Sequence, residues 1–241
     1  MATETLFRSE PYARTCEAQV VAVNERGGII LDRTVFYPTG GGQPGDSGTV
    51  KLADGREIEI ATTVKGGPED GDNAIVHVPA EGSAVPTAGD SVTAEIDWDR
   101  RHRHMRIHTC LHLLSSVLDY PVTGGQVGDG KGRLDFDIPE AGLDKEQITA
   151  ELNRLIGEDH AVTTEWISDA ELAAQPELVK TMSVQPPAGA GQVRLIRVEG
   201  HDLQPCGGTH VAQTAEIGAV TVTKIEKKGR QNRRVTVSLN E

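Results

Sequence analysis

The sequence predicts two domains, an all-β, barrel-like domain over residues 1–97 and an α+β domain over residues 98–241, and three observations carry that reading. Up to Asp97 the apolar residues come in short runs broken by glycine-containing turns, with no helical period. From Trp98 they recur at helical spacing instead. Beyond Pro121, strand-like runs alternate with a second amphipathic stretch, the mixture of an α+β unit. A chain of 241 residues suits one large or two modest domains.

In chain order, the apolar runs at 20–23 and 29–31 flank Gly27-Gly28 and read as a hairpin. Val50 and Leu52 precede Asp54-Gly55, after which Ile58 and Ile60 alternate with charged residues, a second hairpin with one buried face. The stretches 75–78 and 92–96 supply two more strands. Met105, Leu111, Leu114, Val117 and Leu118 then fall on one helix of about five turns, free of glycine and proline until Pro121. Strands are predicted around 123–127 and 133–138. Asp144 opens a helix that places Ile148, Leu152, Leu155 and Ile156 on one face. A strand at 162–167, a short helix at 169–174, a mobile loop at 185–191 and strands at 193–198, 219–225 and 235–239 complete the chain.

No apolar run approaches the length of a membrane span, and the first residues lack the basic and apolar regions of a secretory signal. A cytoplasmic protein is expected. Cys16, Cys110 and Cys206 are too few for a disulfide framework, so they are expected as thiols or metal ligands. The formal charge of −12 argues against general affinity for polyanions, but its distribution is uneven. Six basic residues and one acidic residue lie between Lys224 and Arg234, and four arginines between Asp97 and His108. Such stretches hold a polyanion locally or form solvated charged surfaces.

His108 and His112 are one helical turn apart on one face, the spacing at which two imidazoles share a metal. His104 and His108 form a competing pair. Far along the chain, Cys206-Gly207-Gly208-Thr209-His210 brings a thiolate and an imidazole within four residues, with glycines that permit a tight fold. Three histidines and a cysteine form a tetrahedral zinc set by ligand type, since sulfur with imidazole selects zinc over magnesium or calcium. The long separation of the two halves excludes a zinc finger. Neither a Gly-x-Ser-x-Gly elbow nor His-Glu-x-x-His occurs, and the glycine-dense segment at 39–45 is not followed by the lysine of a phosphate-binding loop. It reads as a tight turn, or as backbone that approaches a ligand or another domain closely.

With these motifs in hand, the chain resembles the freestanding alanyl-tRNA editing proteins, homologous to the editing region of alanyl-tRNA synthetase, over nearly its whole length. The resemblance rests on His-Thr-Cys-Leu-His-Leu-Leu at 108–114, Cys-Gly-Gly-Thr-His at 206–210, Phe-Tyr-Pro-Thr-Gly-Gly-Gly-Gln at 36–43, Glu-Ile-Gly at 216–218, and Lys-Ile-Glu-Lys-Lys-Gly at 224–229 with Arg233-Arg234. Ala215 departs from a glycine common in relatives. The glycine-rich element separates this family from the editing domain of threonyl-tRNA synthetase, and the length leaves no room for an aminoacylation domain.

The resemblance implies one Zn2+ per chain on His108, His112, Cys206 and His210, and hydrolysis of mischarged tRNA(Ala), chiefly seryl-tRNA(Ala) and also glycyl-tRNA(Ala). It implies that the glycine-rich element of the barrel restricts which aminoacyl group fits. Thr109, Gln126, Gly40, Gly41, Gly42 and Gln43 are the expected substrate-binding residues, Thr109 having the alternative of an ordinary helix-surface residue. Gln126 and Asp202 are candidate catalytic groups, and Asp202 is alternatively a partner of a metal ligand or a surface residue. From the charge distribution, Lys227, Lys228, Arg230 and Arg233, with the arginines at 100–106, are expected on the tRNA. No membrane and no obligate protein partner is expected. The alternatives are a zinc-stabilised tRNA-binding module without activity, threonyl-type seryl-tRNA editing, or hydrolysis of another ester.

Overall fold

The computed structural model describes residues 2–139, 142–181 and 191–240; most of the loop expected at 185–191 lies outside them. The fold is mostly β with few helices, and the chain divides into two compact units, Met1–His102 and Arg103–Glu241.

The first unit comprises β1 (Glu4–Thr5), α1 (Leu6–Ser9), β2 (Thr15–Val23), β3 (Ile29–Leu31), β4 (Arg33–Thr34), β5 (Gly48–Leu52), β6 (Glu57–Lys65), β7 (Ile75–Pro79) and β8 (Ser91–Ile96). Six of these close a barrel in the order β2-β3-β7-β6-β5-β8, so no strand edge remains open. Alternation along the strands turns Val20, Ile29, Leu31, Val50, Ile58, Ile60, Val92 and Ala94 inward around Phe36. β2 and β6, of nine residues each, are longer than their apolar cores suggest because mixed polar and apolar residues at 15–19 and 61–65 continue the ladders.

Helix α2 (Trp98–Val117) begins in this unit, so the division falls inside the helix rather than before it. Trp98 packs against the barrel core, and the fully buried Arg101 is clamped in an ion pair to Asp46. Arg101 Nε donates to both Asp46 oxygens at 3.0 and 2.9 Å, and Nη2 also donates to Val35 O at 2.7 Å. Tyr37 N donates to Asp46 Oδ2 at 2.6 Å. Nearby, buried His77 bonds Ile29 O through Nδ1 at 3.0 Å and Thr34 Oγ1 through Nε2 at 2.7 Å. Burial holds its pKa down at about 4.

The second unit continues α2 and adds β9 (Val122–Val127), β10 (Lys131–Asp137), α3 (Lys145–Gly157), β11 (Val162–Ser168), α4 (Asp169–Ala173), β12 (Gln192–Val198), β13 (Asp202–Pro205), β14 (Val220–Lys227) and β15 (Asn232–Leu239). They form a four-stranded sheet, β14-β15-β10-β9, and a three-stranded sheet, β11-β12-β13. Asp144 caps α3 by accepting from Gln147 N at 3.0 Å, and Ile148, Leu152, Leu155 and Ile156 are its buried face. Gly132 lets α2 lie close on β10, since a Cβ there would meet Ile107 at 2.5 Å and Leu111 at 3.2 Å. The sequence reading omits the short β1, α1 and β4, and also β13, whose Asp202, Gln204 and Pro205 give no strand signal.

Candidate metal centre

On α2, the four-residue spacing stacks His108 and His112 on one side of a helix that is buried on most of its surface. Cys206 and His210 come from the loop that leaves β13. Arg194 of β12 shapes that loop: its Nη1 donates to Cys206 O at 3.0 Å and to Gly208 O at 2.8 Å. The structure brings the four residues together, with one potential ligand atom from each, all within 4.8 Å of one another. His104, the competing partner, is buried but is not in the group. Cys206 Sγ stands 3.5 Å from His108 Nε2 and 3.3 Å from His210 Nε2.

Two of the imidazoles are oriented from behind. His112 Nδ1 lies 2.8 Å from Asp202 Oδ2, which leaves Nε2 for the cluster. The Asp202 side chain is wholly buried and also accepts from Lys180 Nζ at 3.0 Å and Gln204 Nε2 at 2.8 Å. His210 Nδ1 donates to Thr109 Oγ1 at 3.2 Å, Val211 N donates to the same oxygen at 3.3 Å, and the hydroxyl donates to Met105 O at 2.9 Å. Thr109 is therefore no helix-surface residue: it is fully buried, and its one donor and two acceptor positions hold the helix and His210.

The electrostatics suit a metal. Burial alone would raise the Cys206 thiol, but the His108 and His210 imidazoles hold it well below the ordinary thiol value. For His112 burial pulls downward, and the Asp202 and Cys206 partners reverse it to about 9. Burial, with His108 beside it, keeps His210 near 3 and so neutral. Cys110, between the two helix histidines in sequence, takes no part; burial pushes its thiol up to about 12.

The other expected site residues fall differently. Gly40 and Gln43 pair across a two-residue turn, Gly40 N to Gln43 O at 3.1 Å and Gln43 N to Gly40 O at 2.9 Å. Gly41 and Gly42 between them both have positive φ, +55° and +79°, which a type I′ turn requires. Gln43 is buried. Gln126 is exposed on β9 opposite Arg133, whose Nε donates to its Oε1 at 3.2 Å. Cross-strand partners share a face, and the next pair, Val127 and Gly132, carries the face against α2. Gln126 thus points to the side of the sheet turned away from the helix that bears His108 and His112.

Among the basic residues, Lys227, Lys228 and Arg230 are exposed, Lys228 pairing with Glu226. Arg233 is not available to a phosphate: it is buried, and its Nη1 bonds the carbonyls of Gly229 and Asn232 in its own hairpin. The arginines at 100–106 are likewise committed. Arg100 donates to Gly45 O, Arg101 pairs with Asp46, Arg103 with Asp129, and Arg106 donates to Ile217 O. Sequence reasoning missed Arg194 and Lys180, whose partners at the centre lie 12 to 22 positions away, and Gln204, which reaches Ser115 and His112 some ninety positions away.

Among the described residues no helix is long and apolar enough to cross a membrane. Residues 193–236 match the family model described as the threonyl and alanyl tRNA synthetase second additional domain, and residues 9–100 match that of class II (A) tRNA synthetases. The chain is 37% identical to the alanyl-tRNA editing protein AlaX-M of Methanosarcina acetivorans, covering 98% of this chain and 99% of that one. It is 33% identical to AlaX-M of Pyrococcus horikoshii, covering 98% of each. To the alanine–tRNA ligase of Pyrococcus abyssi it is 33% identical over 93% of this chain, but only 24% of the ligase.

Proposed function

The chain belongs to the alanyl-tRNA editing proteins, and from that membership and the His108–His112–Cys206–His210 centre we propose that it is a zinc-dependent hydrolase of mischarged tRNA(Ala), chiefly seryl-tRNA(Ala) and also glycyl-tRNA(Ala). The observation that carries the reading is the ligand geometry. A tetrahedral zinc with arms of roughly 2.3 Å to sulfur and 2.0–2.1 Å to nitrogen has sulfur–nitrogen edges of roughly 3.6 Å. The two edges at Cys206 are 3.5 and 3.3 Å. Soft sulfur with three imidazoles suits zinc and not magnesium or calcium.

Editing cleaves the ester between the amino acid and the terminal ribose: water adds to the carbonyl carbon, the carbon–oxygen bond breaks, and the ribose hydroxyl takes the proton. His108, His112, Cys206 and His210 would hold the zinc, which with four protein ligands would either expand its coordination to supply a Lewis acid or serve only to orient the substrate. The chain's own residues hold the geometry. Asp202 fixes the His112 ring, Thr109 fixes His210, and Arg194 pins the loop that carries Cys206. The three histidines are nearly closed from solvent, whereas Cys206 is partly open and Gly207 beside it is exposed, so the ester approaches from that side. Alanine is spared because polar groups that pair with the serine hydroxyl stay unpaired against a methyl, which separates such substrates by roughly four orders of magnitude. Lys227, Lys228 and Arg230 contact acceptor-stem phosphates, so binding weakens with salt despite the acidic chain.

The test is deacylation of tRNA(Ala) charged with serine, glycine or alanine, by native protein, by chelated protein and by Cys206→Ala. Hydrolysis of the seryl ester with the alanyl ester spared, and loss of both metal and activity in the other two preparations, is expected. Equal rates on seryl and alanyl esters, or full activity after chelation, overturns the proposal. Retained tRNA binding with no hydrolysis at all would make the protein a binding module.

A further inference from the structure

A second group of potential ligand atoms lies in the same unit and shares no residue with the first centre: one each from Glu158, His160 and His201, all within 4.8 Å of one another. We propose that these three side chains form a second, solvent-accessible site for a divalent transition metal, with two imidazole nitrogens and one carboxylate oxygen as ligands. This inference is independent of the editing activity.

The backbone presents the three groups to one another. Glu158 caps the C-terminus of α3, and Asp159, in the left-handed region at φ +57°, turns the chain back across the helix end. His160 is then tied on both sides of its peptide: its N–H donates to Thr214 Oγ1 at 2.8 Å, and its carbonyl accepts from Thr214 N at 2.9 Å. His201 stands in the turn between β12 and β13, after Gly200 at φ +74°, with its N–H on Val198 O at 3.0 Å. Glu199 N donates to Ala161 O at 3.0 Å, which binds that turn to the segment carrying His160.

At the side chains, His160 Nε2 lies 2.9 Å from His201 Nε2 and 3.0 Å from Glu158 Oε2. One nitrogen thus faces another nitrogen and an oxygen at once. A neutral imidazole nitrogen is a donor or an acceptor, never both. A proton on His160 Nε2 can be aimed at the carboxylate or at His201, not well at both. A proton on His201 Nε2 leaves a carboxylate against the lone pair of His160. A cation satisfies all three lone pairs together.

The fit is close. Two nitrogens on arms of 2.0–2.1 Å around a tetrahedral ion stand roughly 3.3 Å apart, so the rings open by about 0.4 Å to admit it. Arg154 pairs with the other carboxylate oxygen, Oε1, and its own charge is offset by Glu151, so Oε2 remains directed at the histidines. Two imidazoles with a carboxylate suit zinc, cobalt or nickel and not magnesium or calcium. The half-buried rings and exposed Glu158 leave the remaining coordination positions to water.

The test uses the full chain carrying one tightly held metal. Co2+ or Zn2+ is titrated in by calorimetry, and the cobalt spectrum is read in parallel. We expect one further saturable site, whose cobalt spectrum lacks a thiolate charge-transfer band and so differs from any metal at Cys206. His160→Ala and His201→Ala should each weaken it at least tenfold, Glu158→Gln by less, and His102→Gln not at all. Retention of the first metal shows that each variant is folded; should an alanine variant fail that check, Glu158→Gln decides. Absence of a second saturable site, or titration of the folded variants like the parent, overturns the proposal and leaves a hydrogen-bonded histidine pair.

Discussion

Asp46 and Arg101 of the barrel unit are buried as deeply as the histidines of the metal centre, yet the two groups end in opposite hydrogen-bonding states. Around Asp46 every acceptor meets a donor: two contacts from Arg101 Nε and one from Tyr37 N, while Arg101 turns its remaining donors to Val35 O and Pro11 O. In the candidate metal centre, three imidazoles and a thiol instead converge on one another. His112 and His210 spend their Nδ1 atoms on Asp202 and Thr109, and their other nitrogens face a thiolate. Burial of polar atoms is therefore not what distinguishes a site from a scaffold. The difference is whether the polar atoms pair off in fixed donor–acceptor contacts or gather several potential ligand atoms around one point.

The sharpest way to break this contrast is to unbalance the closed set. Asp46→Ala leaves a buried guanidinium without its partner and should destabilise the barrel by about 3–5 kcal/mol, read by denaturant unfolding with Trp98 as the reporter in a Trp166→Phe background. A cost below about 1 kcal/mol would mean that the pair is dispensable. Next in size is the neutral His77. Its folded pKa of about 4 lies below the ordinary 6.5, so between those values the unfolded chain binds a proton that the folded barrel does not. Stability should fall by about 3 kcal/mol as pH drops from 6.5 to 4, and His77→Gln should flatten that slope. An unchanged slope in the variant places the acid sensitivity elsewhere. The smallest effect probes the open set: Asp202→Asn should weaken metal binding by about 10–100-fold, measured by competition with a chromogenic chelator, with the fold retained. Unaltered affinity would show that His112 needs no carboxylate behind it.

The same contrast explains what could be read from the sequence. Histidine and cysteine at fixed short spacings have few other roles, so the four residues that come together were legible as a candidate set without any contact being known, and Asp202 stood out by lying four residues before Cys206. The Asp46–Arg101 pair was not legible, because its members are 55 positions apart and Arg101 stands among other arginines, where it reads as part of a basic surface. Individual strands of the barrel were visible as apolar runs. Its closure was not, since the pairing of β2 with β8 joins residues 72 to 80 positions apart. Gln126 shows the limit most narrowly, because the face of a strand residue depends on register, and a shift of one reverses it. In the glycine-rich segment, the turn reading accounts for Gly41 and Gly42 through their φ values.

The ligands' order along the chain also sets when the centre can assemble. His112 and Cys206 are 94 positions apart, so a chain emerging from the ribosome displays the helix pair long before the loop pair exists. Metal capture by all four would thus wait until the chain has been made through His210, unlike in modules whose ligands emerge together. A metal bound there would tie off a long stretch of polypeptide, and the entropy of closing such a loop rises only logarithmically with its length. An ion held by these four side chains would act as a late clasp on the second unit.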